Sequence, residues 1–337
     1  MFNKTRTPIE ELTELSSIEC RGYFLFNSSF CLNPAHYSVG INTWQLGCSF
    51  STGGDQFSIG NAIKRFNPNV KGLSHGTSPF EFCFGPLCPS GTFLQPFNPP
   101  SYGLNAAQSG AWVTRGNLDN QFKYLSKYYR DFVPSTENPW KLTTFMMGFN
   151  NVCLGCISTL QTYLLGPDQF ESNIRYALER LRNEYDKMIV VLAAPFKFSR
   201  LENVIKSDEA CVSIRERNKI GCPCLGYESL NGSAEMDRLS VEYNLRMSAI
   251  AADYAKLDYP TFSVIYDPGL SIADLETEPV ESELSAVDCF HPNRVSHEYI
   301  AISMWNNLFR PLVQKQAFGP ENRHSIACPK SHETFWL

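Results

Sequence analysis

Hydrophobic positions along the chain switch between two periods. In 168–185 Phe170, Ile174, Leu178, Leu181 and Tyr185 recur at helical spacing, which predicts an amphipathic helix. "KMIVVLAAP" follows at once as an unbroken apolar run of strand length, the pattern of a parallel strand covered on both faces. The same alternation continues on either side. Helical spacing marks 57–66, 117–132, 238–257 and about 295–313, and strand-like runs occupy 38–47, 140–148 and 261–268. Residues 67–103 are rich in Pro and Gly and predict a long loop. Residues 200–235 predict an irregular, Cys-rich stretch, and 273–285 an acidic loop. Strands alternating with helices predict one doubly wound α/β sheet. In such sheets ligands bind beyond the carboxyl ends of the strands, so the glycines ending two runs, Gly47 and Gly148, mark where to look. Residues 1–37 lack a clear period and read as a lead-in packed on the domain; 38–315 form the domain and 316–337 a C-terminal tail.

Composition narrows the classes. The chain has 337 residues, 43% of them hydrophobic, enough for a large core. The formal net charge is −5, and no basic block is present of the kind that follows a phosphate backbone, which argues against nucleic acid as a partner. No apolar run reaches the roughly 18 residues that span a bilayer. The first 17 residues lack the apolar stretch of a signal peptide. Twelve cysteines and the sequons beginning at Asn3, Asn27 and Asn231 point instead to an oxidising compartment, secreted or lumenal. "CLGC" (153–156) and "CPC" (222–224) allow a thiolate zinc site, but CPC is not a zinc knuckle, and disulfides or buried thiols are the stronger reading.

Four short stretches carry chemistry: "GCSF" (47–50), "NAAQSGA" (105–111), "GFNN" (148–151) and "DCFH" (288–291). Each has an ordinary reading alone. Ser49 is a turn serine, Gly110 a turn glycine, Asn150 a cap, and Asp288 an acid favoured near a helix N-terminus. Together they hold the parts of a nucleophilic hydrolase. A serine hydroxyl needs a positioned base. Asp–x–x–His puts acid and base on one turn. A tetrahedral oxyanion needs fixed donors, which a close-approaching glycine N–H and an Asn amide can supply.

In their order and wording the four stretches resemble the GDSL or SGNH hydrolases, most closely the phospholipase B-like branch, whose blocks read GDSL, a small-residue stretch with a key glycine, GGND and DxxH. The similarity extends through "KRFNPNVKGLSHGTS" (64–78), "GCPC" (221–224), "MWNNLFRPLV" (304–313) and "IACPK" (326–330), covering roughly 38–330. It implies an SGNH-hydrolase (flavodoxin-like) three-layer α/β/α fold with a central, mostly parallel sheet. It implies Ser49 as nucleophile, His291 as general base, Asp288 as its orienting acid, and an oxyanion hole of the Ser49 N–H, the Gly110 N–H and the Asn150 amide. No metal or organic cofactor is implied. The substrate class is an acyl ester of a (lyso)glycerophospholipid, with peripheral membrane contact through loops such as 78–87. The alternatives are a short-chain or carbohydrate esterase, and a catalytically weakened homologue that binds a lipid or protein partner. Three positions depart from the family pattern. Cys48 replaces the Asp of GDSL, Asn151 replaces the Asp of GGND, and Phe149 replaces a glycine beside Asn150. The triad is untouched by these changes, but two carboxylates near the hole have become neutral. His75 and His297 belong to no motif and read as structural.

Overall fold

The structure, a computed structural model, describes residues 57–74, 102–107, 111–193, 195–217, 222–225, 231–273, 284, 289–319 and 326–329. The expected lead-in, the strand at 38–47, the loop at 78–87, Cys48, Ser49, Gly110 and Asp288 lie outside the described residues.

Helix α1 spans Ile59–Phe66, with Ser58 accepting the Asn61 N–H at 3.0 Å as its N-cap. Helix α2 spans Arg115–Phe132, and strand β1 Lys141–Met146. Helix α3, Pro167–Glu184, begins with proline, whose missing N–H costs nothing in the first turn. It leads to strand β2, Met188–Ala193. Helices α4, Phe198–Lys206, and α5, Glu209–Arg217, then occupy part of the stretch expected to be irregular. Helix α4 has a visible cause. Phe198, Leu201, Val204 and Ile205 form a buried stripe on α4, a helical signal masked by the surrounding Cys and charged residues. Helix α6, Gly232–Leu257, strand β3, Phe262–Asp267, and helix α7, Arg294–Leu308, complete the longer described elements.

The three strands are parallel and lie in sequence order. Adding strands in one direction by right-handed crossovers puts both connecting helices on one face. Accordingly α3 and α6 share a core with Val190, Leu192, Phe262 and Val264, and α2 joins them through Leu118 and Phe122. The opposite face of the sheet, Ile189, Val191, Ala193 and Ile265, is covered by α1 and α7 through Ile59, Ala62, Ile300, Met304 and Trp305. This is the expected three-layer α/β/α arrangement. Strand β2 is buried at every residue, which is why its sequence shows no alternation. Fully burying one such Val, Ile or Leu side chain contributes about 1.5–3 kcal/mol before conformational entropy is charged against it.

Register sets the level of everything beyond the strands. Met146, Ala193 and Asp267 are paired neighbours, so the three carboxyl ends form one edge. Asp267 is buried there and accepts N–H groups from Gly269 and Asn307, each at 2.9 Å. Burial raises its pKa, while the nearby Lys315 ammonium and these donors oppose the rise. Asn307 also exchanges two 2.9 Å hydrogen bonds with the Gln316 backbone, which holds the start of the C-terminal segment against β3.

Candidate active site

Strand β1 ends in a turn that only glycine makes without strain. Gly148 has φ +107°, and a Cβ on it would lie 3.1 Å from Phe170 and 3.3 Å from Tyr243. Those two rings stack at 3.8 Å between α3 and α6, so they have little room to yield. The turn leads into a single helical turn, Phe149–Val152, that carries two adjacent asparagines.

The two side chains do different work on the same segment, 111–113. The half-buried Asn150 donates through Nδ2 to the Ala111 carbonyl at 3.0 Å. Asn151, 0% exposed, accepts the Val113 N–H on Oδ1 at 2.8 Å. Segment 111–113 is held further by Trp112 N–H donating to Asn117 Oδ1 at 2.7 Å and by Asn173 Nδ2 donating to the Val113 carbonyl at 2.8 Å. The stretch that follows Gly110 is therefore clamped to the end of β1, and two of the four sequence blocks meet. Asn150 keeps a second amide proton, and its carboxamide is only partly covered. The other Asn151 group, Nδ2, is buried without a hydrogen-bond partner of good geometry. It lies beside the Tyr243 hydroxyl, close enough to oppose the rise in phenol pKa that burial causes. That hydroxyl gives its own proton to the Leu165 carbonyl.

The fourth block is held from three directions. Cys289 is buried, adopts φ +47° and is joined to Cys211 of α5 by a disulfide. Pro292 forms an isolated bridge with Leu284. Asn293 caps α7 by accepting the Ser296 N–H at 3.0 Å. Between these anchors stands His291, partly exposed, its ring edge-on to Phe290 at 4.9 Å. His297 is 0% exposed in the first turns of α7. Burial first, and the charge of His291 second, push its pKa down to about 3, so it is neutral at ordinary pH. Its burial fits the structural role expected for it.

Sequence reasoning left the cysteines unpaired. The structure joins Cys153 to Cys222 and Cys156 to Cys224. Cys224 N–H also donates to the Cys153 carbonyl at 3.0 Å, so the CPC turn is riveted to the segment just after Asn151. These bonds use the thiols a zinc site would have needed. Among the described residues no group of three or more His, Cys, Asp or Glu side chains is arranged to hold a metal ion.

Among the described residues the segment following Gly110 thus meets the Asn150 turn at the end of β1, and His291 is related to that turn only through a row of aromatic rings. The model of the GDSL-like lipase/acylhydrolase family matches residues 38–304. The chain belongs to this family. The description of the family names lipases and acylhydrolases, enzymes that cleave carboxylic esters. Among curated proteins, the membrane-associated phospholipase B1 of Rattus norvegicus is 28% identical over 312 residues, and that of Homo sapiens 27% over 311. Each alignment covers 88% of this chain but 20% of the relative, so the chain spans about a fifth of the length of these relatives. Among the described residues no helix is long and apolar enough to cross a membrane. The three disulfides among those residues fit an oxidising compartment.

Proposed function

We propose that this GDSL-family chain is a secreted or lumenal serine hydrolase that removes acyl groups from (lyso)glycerophospholipids through an acyl-enzyme. Ser49 attacks the ester carbonyl. His291 takes the hydroxyl proton and returns it to the departing alcohol, and Asp288 orients the imidazole and stabilises its charged form. Water, deprotonated by the same imidazole, then releases the fatty acid. The developing oxyanion is received by the N–H groups of Ser49 and Gly110 and by the second amide proton of Asn150.

One observation carries this reading. The Asn150 amide is fastened to Ala111, the residue that follows Gly110 in the chain, so one proposed donor is tied to the segment next to the other in sequence. The partly exposed His291, held between a disulfide and a helix cap, is consistent with a base that must keep its position while changing charge. The phospholipid preference follows from the likeness to the phospholipase B1 proteins, and shallow contact of the chain with a lipid surface is part of the same reading.

The test is labelling with a fluorophosphonate together with release of fatty acid from lysophosphatidylcholine. Wild-type protein should be labelled at Ser49 and should release fatty acid. Ser49→Ala and His291→Ala should do neither. Folded wild-type protein that takes up no label would refute the serine mechanism. Labelling with turnover of short soluble esters alone would refute the lipid substrate.

A further inference from the structure

Four phenylalanine rings follow one another from the Asn150 turn to His291. Phe149 lies 5.4 Å from Phe196 and 6.4 Å from Phe198, measured between ring centroids. Phe196 and Phe198 are 4.6 Å apart, Phe198 and Phe290 6.3 Å, and Phe290 reaches His291 at 4.9 Å. The rings come from three separate connections: the turn after β1, the segment after β2, and the stretch before α7. Phe149 and Phe196 each pack against both cores, the one beneath α3 and α6 and the one beneath α1 and α7. A side chain that touches both cores lies across the carboxyl end of the sheet, where an α/β protein of this kind receives its ligand.

Core filling is the ordinary reason for such a cluster, and it accounts for Phe198, which is fully buried. It leaves over the solvent-facing part of Phe149, Phe196 and Phe290, which pack against the core on one side and are only partly buried. It also leaves over the position of Phe149, which stands where the family motif has glycine and so adds a ring directly beside Asn150.

We propose that Phe149, Phe196 and Phe290 form an acyl-chain wall, and that the preferred substrate is an ester of a linear apolar acid several carbons long rather than an acetyl ester. This rests on the hydrolase reading above. With the carbonyl carbon between Asn150 and His291, the chain of the acid runs along the exposed ring surfaces. Each methylene taken out of water there raises kcat/KM by about three- to fourfold until the wall ends.

The experiment compares kcat/KM for p-nitrophenyl esters from acetyl to decanoyl in wild type, Phe149→Gly and Phe196→Ala. Phe149→Leu and Phe196→Leu serve if the larger truncations lower the melting temperature. Binding of a dansyl-labelled undecanoic acid to Ser49→Ala, with and without the Phe196 change, is measured in parallel and needs no turnover. Wild type should favour decanoyl over acetyl ester by at least about tenfold, and the truncations should cut that ratio by about tenfold and weaken the probe. For the Leu variants the expected cut is about threefold. An unchanged ratio in folded, active variants would overturn the wall. Protein that hydrolyses none of the esters, yet binds the probe and loses it on Phe196→Ala, would keep the wall and sink the hydrolase reading. Protein that neither hydrolyses nor binds would sink both.

Discussion

Asn151 stands where the family motif has aspartate, and its surroundings explain why returning the acid should be harmful here. The side chain is fully buried; Oδ1 accepts the Val113 N–H, and Nδ2 faces the oxygen of Tyr243, whose proton is committed to the Leu165 carbonyl. Asn151→Asp preserves the first contact and sets a carboxylate oxygen against the phenol oxygen. Turning the Tyr243 proton toward the carboxylate relieves this only by stranding the Leu165 carbonyl, at about 1–3 kcal/mol. The remaining escape is protonation, which lets the new carboxyl donate to Tyr243 much as the amide faces it now. Burial and the opposed oxygen therefore raise the folded-state pKa of the introduced carboxyl above its unfolded value of about 3.9. A raised folded pKa gives stability that is complete below the unfolded pKa and is lost as pH rises through the folded one. With a folded pKa of about 6, the variant loses about 3 kcal/mol relative to wild type between about pH 4 and pH 8. Urea unfolding at several pH values measures this. In a Tyr243→Phe background the opposed oxygen is gone, and the pH-dependent part of the loss should shrink. An Asn151→Asp variant as stable as wild type at about pH 8 would refute this account of the departure.

Two further predictions concern the fourth block and the helix that follows it. Replacing both cysteines of the Cys211–Cys289 bridge with serine frees the segment two residues before His291, so kcat should fall by about ten- to a hundredfold with KM little changed, as measured by steady-state ester hydrolysis; an unchanged kcat would mean that the Asn293 cap and the Pro292 bridge hold the histidine alone. His297, whose pKa burial lowers to about 3, binds its proton more readily unfolded than folded, so its contribution is complete above about pH 6.5 and falls as pH drops toward 3, by up to about tenfold in the folding constant per pH unit; His297→Gln should flatten that dependence in denaturant titrations, and an unaltered slope would contradict it.

How much of this was legible beforehand depended on whether the signal was local. β2 and α3 could be read because burial on both faces erases alternation and burial on one face imposes a helical period, and both patterns sit within one element. α4 carried the same kind of stripe, yet composition dominated the reading of 200–235 and concealed it. Asn150 and His291 are proposed from block order, since each follows or precedes an element end that sequence alone can place. Their supports were not found. The clamp from Asn151 to Val113, the bridge from Cys211 to Cys289 and the aromatic row from Phe149 to Phe290 join residues distant along the chain.

That division has a physical basis which bears on the departures from the family motif. A residue that performs chemistry is tied to a role that few side chains can fill, so its type and local setting survive in the sequence as a readable block. A supporting residue answers only to its neighbours, and several combinations satisfy the same requirement. An acceptor for Val113 N–H can be a carboxylate or a carboxamide, and the choice is made by the proton of Tyr243, which the Leu165 carbonyl has already claimed. The change from acid to amide at Asn151 therefore follows from a hydrogen-bond requirement in the layer behind the site, and a catalytic loss need not be invoked for it. Phe149 is the opposite case. Its ring packs against both cores yet keeps part of its surface in solvent, next in the chain to Asn150. Of the two neighbouring departures, one is explained by what lies beneath the site and the other by what the site is built to receive.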